Sequence, residues 1–196
     1  MPAVYFDLLV QAARTVNAGF NQVVYWSQLT GWLNQTLTPN PDCVYFIPLW
    51  DTSGGPVVVE VPPADGGSIT GSLMNSWQAA LEDVGPAGLD KGNGGKYLIL
   101  PPGYGGEVPD GYLVLPSDTF RGFGLLRSNL TDTSPATVAA GVEYGKRVKV
   151  YPLAGAADPP PTVFADAYGV QFGDAIPYDA RFYESLGTAS CRPSRG

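Results

Sequence analysis

Apolar side chains recur every four positions near the start of the chain, at Val4, Leu8, Ala12 and Val16. That spacing predicts a helix over residues 3–16 with one apolar stripe. Residues 22–33 show no single period, and a short helix before Gly31 is one reading of them. From residue 38 the texture changes to short β-branched and aromatic runs closed by Gly, Pro, Asp and Asn. The run at 44–47 is interrupted by Pro48 and resumes through Trp50. The run at 57–61 follows the turn Gly54-Gly55-Pro56, so the two read as a hairpin. Further strands are expected at 69–74, 77–81, 96–100, 112–115 and 120–127.

Ser134 followed by Pro135 marks the cap and first position of a second helix. Val138, Val142 and Val148 would form its inner face, and Pro152 stands past its end. Short, densely punctuated strands point to a mainly β fold: an antiparallel, jelly-roll-like β-sandwich with an N-terminal helix and one late helix. Residues 1–153 are expected to form this domain. Residues 154–186 read as a linker and extended segment, and 187–196 as a tail.

Glycine and proline number 25 and 19 of 196 residues, yet aromatics at 12% and an apolar fraction of 44% argue for a packed core rather than disorder. The net charge of −7 excludes a phosphate-backbone partner, so no nucleic acid is expected. Lys146, Arg147 and Lys149 are the one cationic cluster and read as a solvated helix end. No apolar run is long enough for a membrane span, and the N-terminus lacks the basic and apolar regions of a signal peptide. Cys43 lies in an apolar run and reads as a small core residue, whereas Cys191 lies in a polar tail.

The chain contains no histidine. Catalysis by Ser-His-Asp or Cys-His pairs is therefore excluded within it, as are histidine-bearing zinc sites. Carboxylate chemistry and oxygen-ligated metals remain. Asn40 and Asp42 precede the strongest strand, Asp51 ends it, and Glu82 and Asp83 follow Trp77. Two such carboxylates could act as acid and base on a glycosidic bond. Asn40 and Asp42 could instead hold calcium or magnesium, although no cofactor is evident, or simply make turn hydrogen bonds beside proline. Tyr45, Trp50, Trp77, Tyr97 and Phe123 fall in expected strands, as core residues or as an aromatic platform for a ring-bearing ligand. Lys96 and Arg127 are cations in apolar strands. They face solvent by alternation, or face inward and need a carboxylate such as Asp42 or Asp51.

Several blocks resemble one bacterial family. They are Thr38-Pro-Asn-Pro-Asp42 with Val44-Tyr-Phe-Ile-Pro-Leu-Trp-Asp51, then Gly55-Pro-Val-Val-Val-Glu-Val-Pro62, Gly94-Gly-Lys-Tyr-Leu-Ile-Leu-Pro-Pro-Gly103, and Pro109-Asp-Gly111 leading into Leu125-Leu-Arg127. Their order is that of domain of unknown function 1254, usually joined on its C-terminal side to domain of unknown function 1214. The resemblance implies a mainly antiparallel β-sandwich and, in relatives, export to the periplasm. It implies no activity.

Relatives continue after a stretch like 178–186 with something like Asp-Arg-Ile-Val-Gln-Thr-Glu-Pro-Trp. A coding string for that peptide, read one nucleotide later, gives the residues of 188–196. The expectation is a frame-shifted tail and a missing companion domain. These features lead to a binding or interaction module of the cell envelope for a small molecule or glycan. The rival reading is a carboxylate-based hydrolase or lyase working at the interface with the companion. Loss of that companion would also expose apolar surface and favour homo-oligomers.

Overall fold

The computed structural model describes residues 1–36, 39–173, 175–176 and 179–190. The chain opens with α1 (Pro2–Thr15), which buries Phe6, Leu9, Val10, Ala12 and Ala13. Its end is a left-handed cap. Asn17 takes φ 59°, and the amides of Asn17 and Ala18 donate to the carbonyls of Arg14 and Ala13. Then follow β1 (Gln22–Tyr25), β2 (Asn34–Gln35), β3 (Cys43–Asp51), β4 (Val57–Val61), β5 (Ile69–Asn75), β6 (Ala80–Val84), β7 (Gly95–Leu100), β8 (Leu113–Pro116) and β9 (Arg121–Asn129). Helix α2 (Pro135–Gly145) precedes β10 (Lys149–Pro152), a 3-10 turn at Leu153–Gly155, β11 (Phe164–Asp166), β12 (Phe172–Gly173) and α3 (Arg181–Ser190).

The fold is mainly β, as its residue patterns suggested, but the described residues form three α-helices where two were expected: α3 lies in a stretch read as an extended segment and tail. Six strands form one sheet in the order β11-β1-β3-β9-β5-β6, and four form another in the order β10-β4-β7-β8. Strands β2 and β12 make a small third sheet. Pairing is mixed: β1–β11, β7–β8 and β2–β12 are parallel and the other ladders antiparallel. Neither large sheet is closed.

Alternation sorts β3 cleanly. Val44, Phe46 and Trp50 face a core shared with Val57, Val59, Tyr97, Ile99 and Val150 of the four-stranded sheet. Tyr45, Ile47 and Leu49 face the other way, into a second core with Phe6, Leu9 and Val10 of α1 and Phe123 of β9. Both faces of β3 are thus covered, which is why its sequence reads as a continuous apolar run. Helix α2 crosses the edge of the first core so closely that a Cβ on Gly145 would lie 2.0 Å from the Phe46 ring.

The structure corrects several local expectations. The runs at 44–50 and 57–61 are not a hairpin, because β3 pairs with β1 and β9 while β4 pairs with β10 and β7. Their connection passes from one sheet to the other. Residues 22–25 form a strand, and no helix forms within 22–33. The strand expected at 77–81 starts at Ala80 instead. Asn75 accepts the amides of Trp77 and Ala79 through its side chain, and Gln78 turns through φ 59°, so the chain reverses there. Ser134 caps α2 as expected, accepting the Thr137 amide. Val148 is fully buried but lies beyond the helix, just before β10. After residue 154, β11 adds to β1 in the six-stranded sheet. The position of Cys191 lies outside the described residues.

Candidate functional site

A cavity of about 460 Å³ lies between the N-terminal half of α1 and the outward face of the six-stranded sheet. Its floor follows from the β3–β9 register, which sets Tyr45 opposite Arg127 and Leu49 opposite Phe123. The same alternation that buries Val44 and Phe46 turns Tyr45 and Ile47, with Phe123, Leu125 and Arg127, toward α1. Tyr5 and Leu9 of α1 form the roof. Trp26, Asn34, Met74 and Gln78 complete the wall. The Gln78 side-chain amide donates to the Pro2 carbonyl at 3.3 Å and ties the β5–β6 turn to the start of α1.

The lining is apolar and aromatic apart from a few polar groups. Trp26 and Tyr45 are 3% and 6% exposed and meet edge to face. The Arg127 guanidinium lies over the Tyr45 ring, 5.5 Å from its centroid. The Tyr45 hydroxyl accepts the Asn40 amide at 2.7 Å, fixing the ring. Arg127 Nε is fully buried and has no hydrogen-bond partner, and the same is true of Asn34 Oδ1. Among the described residues no carboxylate pairs with Arg127, and none lines the cavity. A cation is therefore set into an apolar wall without a countercharge, an arrangement that costs free energy unless a ligand or water compensates it.

Of the residues expected to act, the structure brings Tyr45 and Arg127 together here. Asn40 is joined to them only through its backbone. Its side chain accepts the Asp42 amide at 2.9 Å, and both residues are exposed, which is the turn reading of this pair. Asp51 lies at the far end of β3, bonded to Arg121 at 2.7 Å and to Ser53. Burial pushes its carboxyl up, but hydrogen bonds from Ser53 and Arg121 outweigh burial and hold it below the usual carboxylate range.

Trp77 is exposed in the β5–β6 turn. Lys96 is exposed on the other sheet, in register with Glu60. Trp50 and Tyr97 belong to the inner core, so the strand aromatics do not form one platform. Glu82 and Asp83 lie on the edge strand β6, where Asp83 accepts the Ser72 hydroxyl at 2.5 Å. Among the described residues, no group of three or more acidic or cysteine side chains is placed to hold a metal ion. Cys43 is buried, and burial raises its thiol above the ordinary value against the lowering effect of the Tyr45 hydroxyl; it is a protonated core residue.

Trp26, Asn34, Tyr5 and Gln78 were not singled out by sequence. Trp26 and Asn34 sit outside any periodic run, so no local signal marks them. A shallower depression of about 200 Å³ shares Trp26 and Asn34 with the cavity and is edged by the exposed Trp32 and Tyr168. The groove of about 590 Å³ between α1 and α3 is polar, and Arg181 in its wall is already held by Asp179 at 2.7 Å.

The VPA0106 protein from Vibrio parahaemolyticus shares this fold. It superposes with a TM-score of 0.58 at 19% identity over 83% of this chain and 40% of its own. The present chain therefore spans about two fifths of that protein's length. No curated protein matches. The family model described as "Protein of unknown function (DUF1254)" matches residues 20–152, more than half of the sequence, and the chain belongs to that family.

Proposed function

We propose that this domain is a small-molecule binding module whose ligand enters the cavity beneath α1. The observation that carries the reading is the cavity itself, mostly apolar and aromatic with two unsatisfied polar atoms in its wall. Its volume falls in the range of about 300–1,000 Å³ typical of ligand sites. Water alone is a poor occupant of an aromatic-lined space, and convergent polar groups in such a space serve to orient a ligand. The enzymatic alternative finds less support. Its carboxylates, Asp42 and Asp51, lie outside the cavity, and Asp51 is engaged by Arg121.

We further read the two large sheets as the layers of a β-sandwich, since one core is built from both. The module is proposed to work in the cell envelope beside a C-terminal companion domain. The greater length of the Vibrio protein is consistent with further domains in such chains.

The test is thermal unfolding against a panel of small organic acids, amides, sugars and divalent metals, repeated on Leu125→Trp. A ligand of the native state raises the midpoint by mass action. The expected result is a shift for at least one organic compound that Leu125→Trp, which narrows the cavity, reduces. A shift unchanged in that variant would place binding elsewhere and refute the reading.

A further inference from the structure

Among the described residues Arg127 is the one charged side chain in the cavity wall, and no carboxylate there pairs with it. Arg127 projects from the middle of β9, between Leu125 on its own strand and Tyr45 across the ladder. The Tyr45 ring occupies one face of the guanidinium, so its planar edge is left for hydrogen bonding. Nε is itself buried and has no hydrogen-bond partner among the described residues. Asp51, the acid that could have neutralised an arginine of this strand, is committed to Arg121.

Resting on the reading of the cavity as a ligand site, we infer that its ligand is a small organic carboxylate with an apolar or aromatic body. The carboxylate takes the cavity-facing edge of the Arg127 guanidinium, and the body lies against Trp26, Ile47 and Phe123. Two features select a carboxylate over a phosphate. A guanidinium edge offers two parallel N–H donors, which matches one carboxylate group. A dianionic phosphate would require a second cation or a nest of backbone amides, and among the described residues the cavity wall supplies no other charged side chain.

The experiment compares phenylacetate and heptanoate with phenylacetamide and heptanamide. Binding is followed by calorimetry and by the NMR shift of the Trp26 indole N–H. The acids should bind at least about tenfold more tightly than their amides, the worth of one charge-assisted hydrogen bond. Arg127→Met should erase that preference while leaving amide affinity within about twofold, and Arg127→Lys should restore part of it. Should Arg127→Met fail to fold, the acid-to-amide ratio on the unaltered protein decides alone. Equal binding of acids and amides, or a preference that survives Arg127→Met, overturns the inference while leaving the cavity a ligand site. If none of the four compounds moves the Trp26 signal, the site reading itself fails.

Discussion

Arg127 stacks on Tyr45, guanidinium over ring at 5.5 Å, in the wall of a cavity that no carboxylate lines among the described residues. The two residues are a directly opposed pair on neighbouring antiparallel strands, so the sheet register alone brings them together. The Asn40 amide then holds the tyrosine from the loop side. Tyr45→Phe should keep the stack and lose only this hydrogen bond, at about 1 kcal/mol, with ligand affinity little changed. Tyr45→Ala should cost about 3–5 kcal/mol and release the arginine from its position. Urea unfolding of both variants measures the difference.

Asp90 is a buried carboxylate that organises the loop before β7. It accepts the Gly85 amide at 2.6 Å, the Gly94 amide at 3.1 Å and the Tyr97 hydroxyl at 2.9 Å. Burial and this carboxylate together raise the Tyr97 hydroxyl far above its usual range, so Tyr97 remains a donor. Asp90→Ala leaves these donors without their carboxylate acceptor and should destabilise by about 3 kcal/mol or more. The loss should show in urea unfolding with no effect on cavity ligands. A stable variant would mean that water replaces the carboxylate.

Gly145 marks the closest approach of α2 to the sheet. An added methyl group would meet Phe46, a fully buried ring of the inner core. Gly145→Ala should therefore destabilise by about 1–3 kcal/mol, although alanine favours helix elsewhere. Combining it with Phe46→Leu should recover part of the loss, a coupling that a double-mutant cycle measures directly.

Acid should weaken the protein partly through Asp51. Its folded pKa is depressed, so its stabilisation is fully present above the unfolded carboxylate value and is lost as pH falls through the folded one. Asp51→Asn should be less stable than the parent at pH 7, and the gap should narrow as pH drops below about 4. A gap that stays constant with pH would assign the effect to packing instead.

Much of the fold was legible because α1, β3, β7, β9 and α2 each carry a strong periodic or continuous apolar pattern with matching caps. The failures have one physical source: local chemistry encodes a turn but not the partner across it. Gly54-Gly55-Pro56 does reverse the chain, yet β3 and β4 end in different sheets, since both are apolar enough to sit inside any ladder. Asn75 was not singled out in the sequence, yet its side chain caps the turn that puts the start of β6 at Ala80. The site was half legible. Tyr45 and Arg127 stood out by residue type within a strand. Trp26 and Asn34 come from a loop and a two-residue strand, and only the tertiary fold brings them to the same wall.

The most direct test is a crystal structure of the protein soaked with 4-bromophenylacetate, with the bromine located by anomalous scattering. The account predicts a bromine peak inside the cavity against Trp26 and Phe123, with the carboxylate on the Arg127 guanidinium. A bromine bound elsewhere while the cavity stays empty at saturating probe would contradict it.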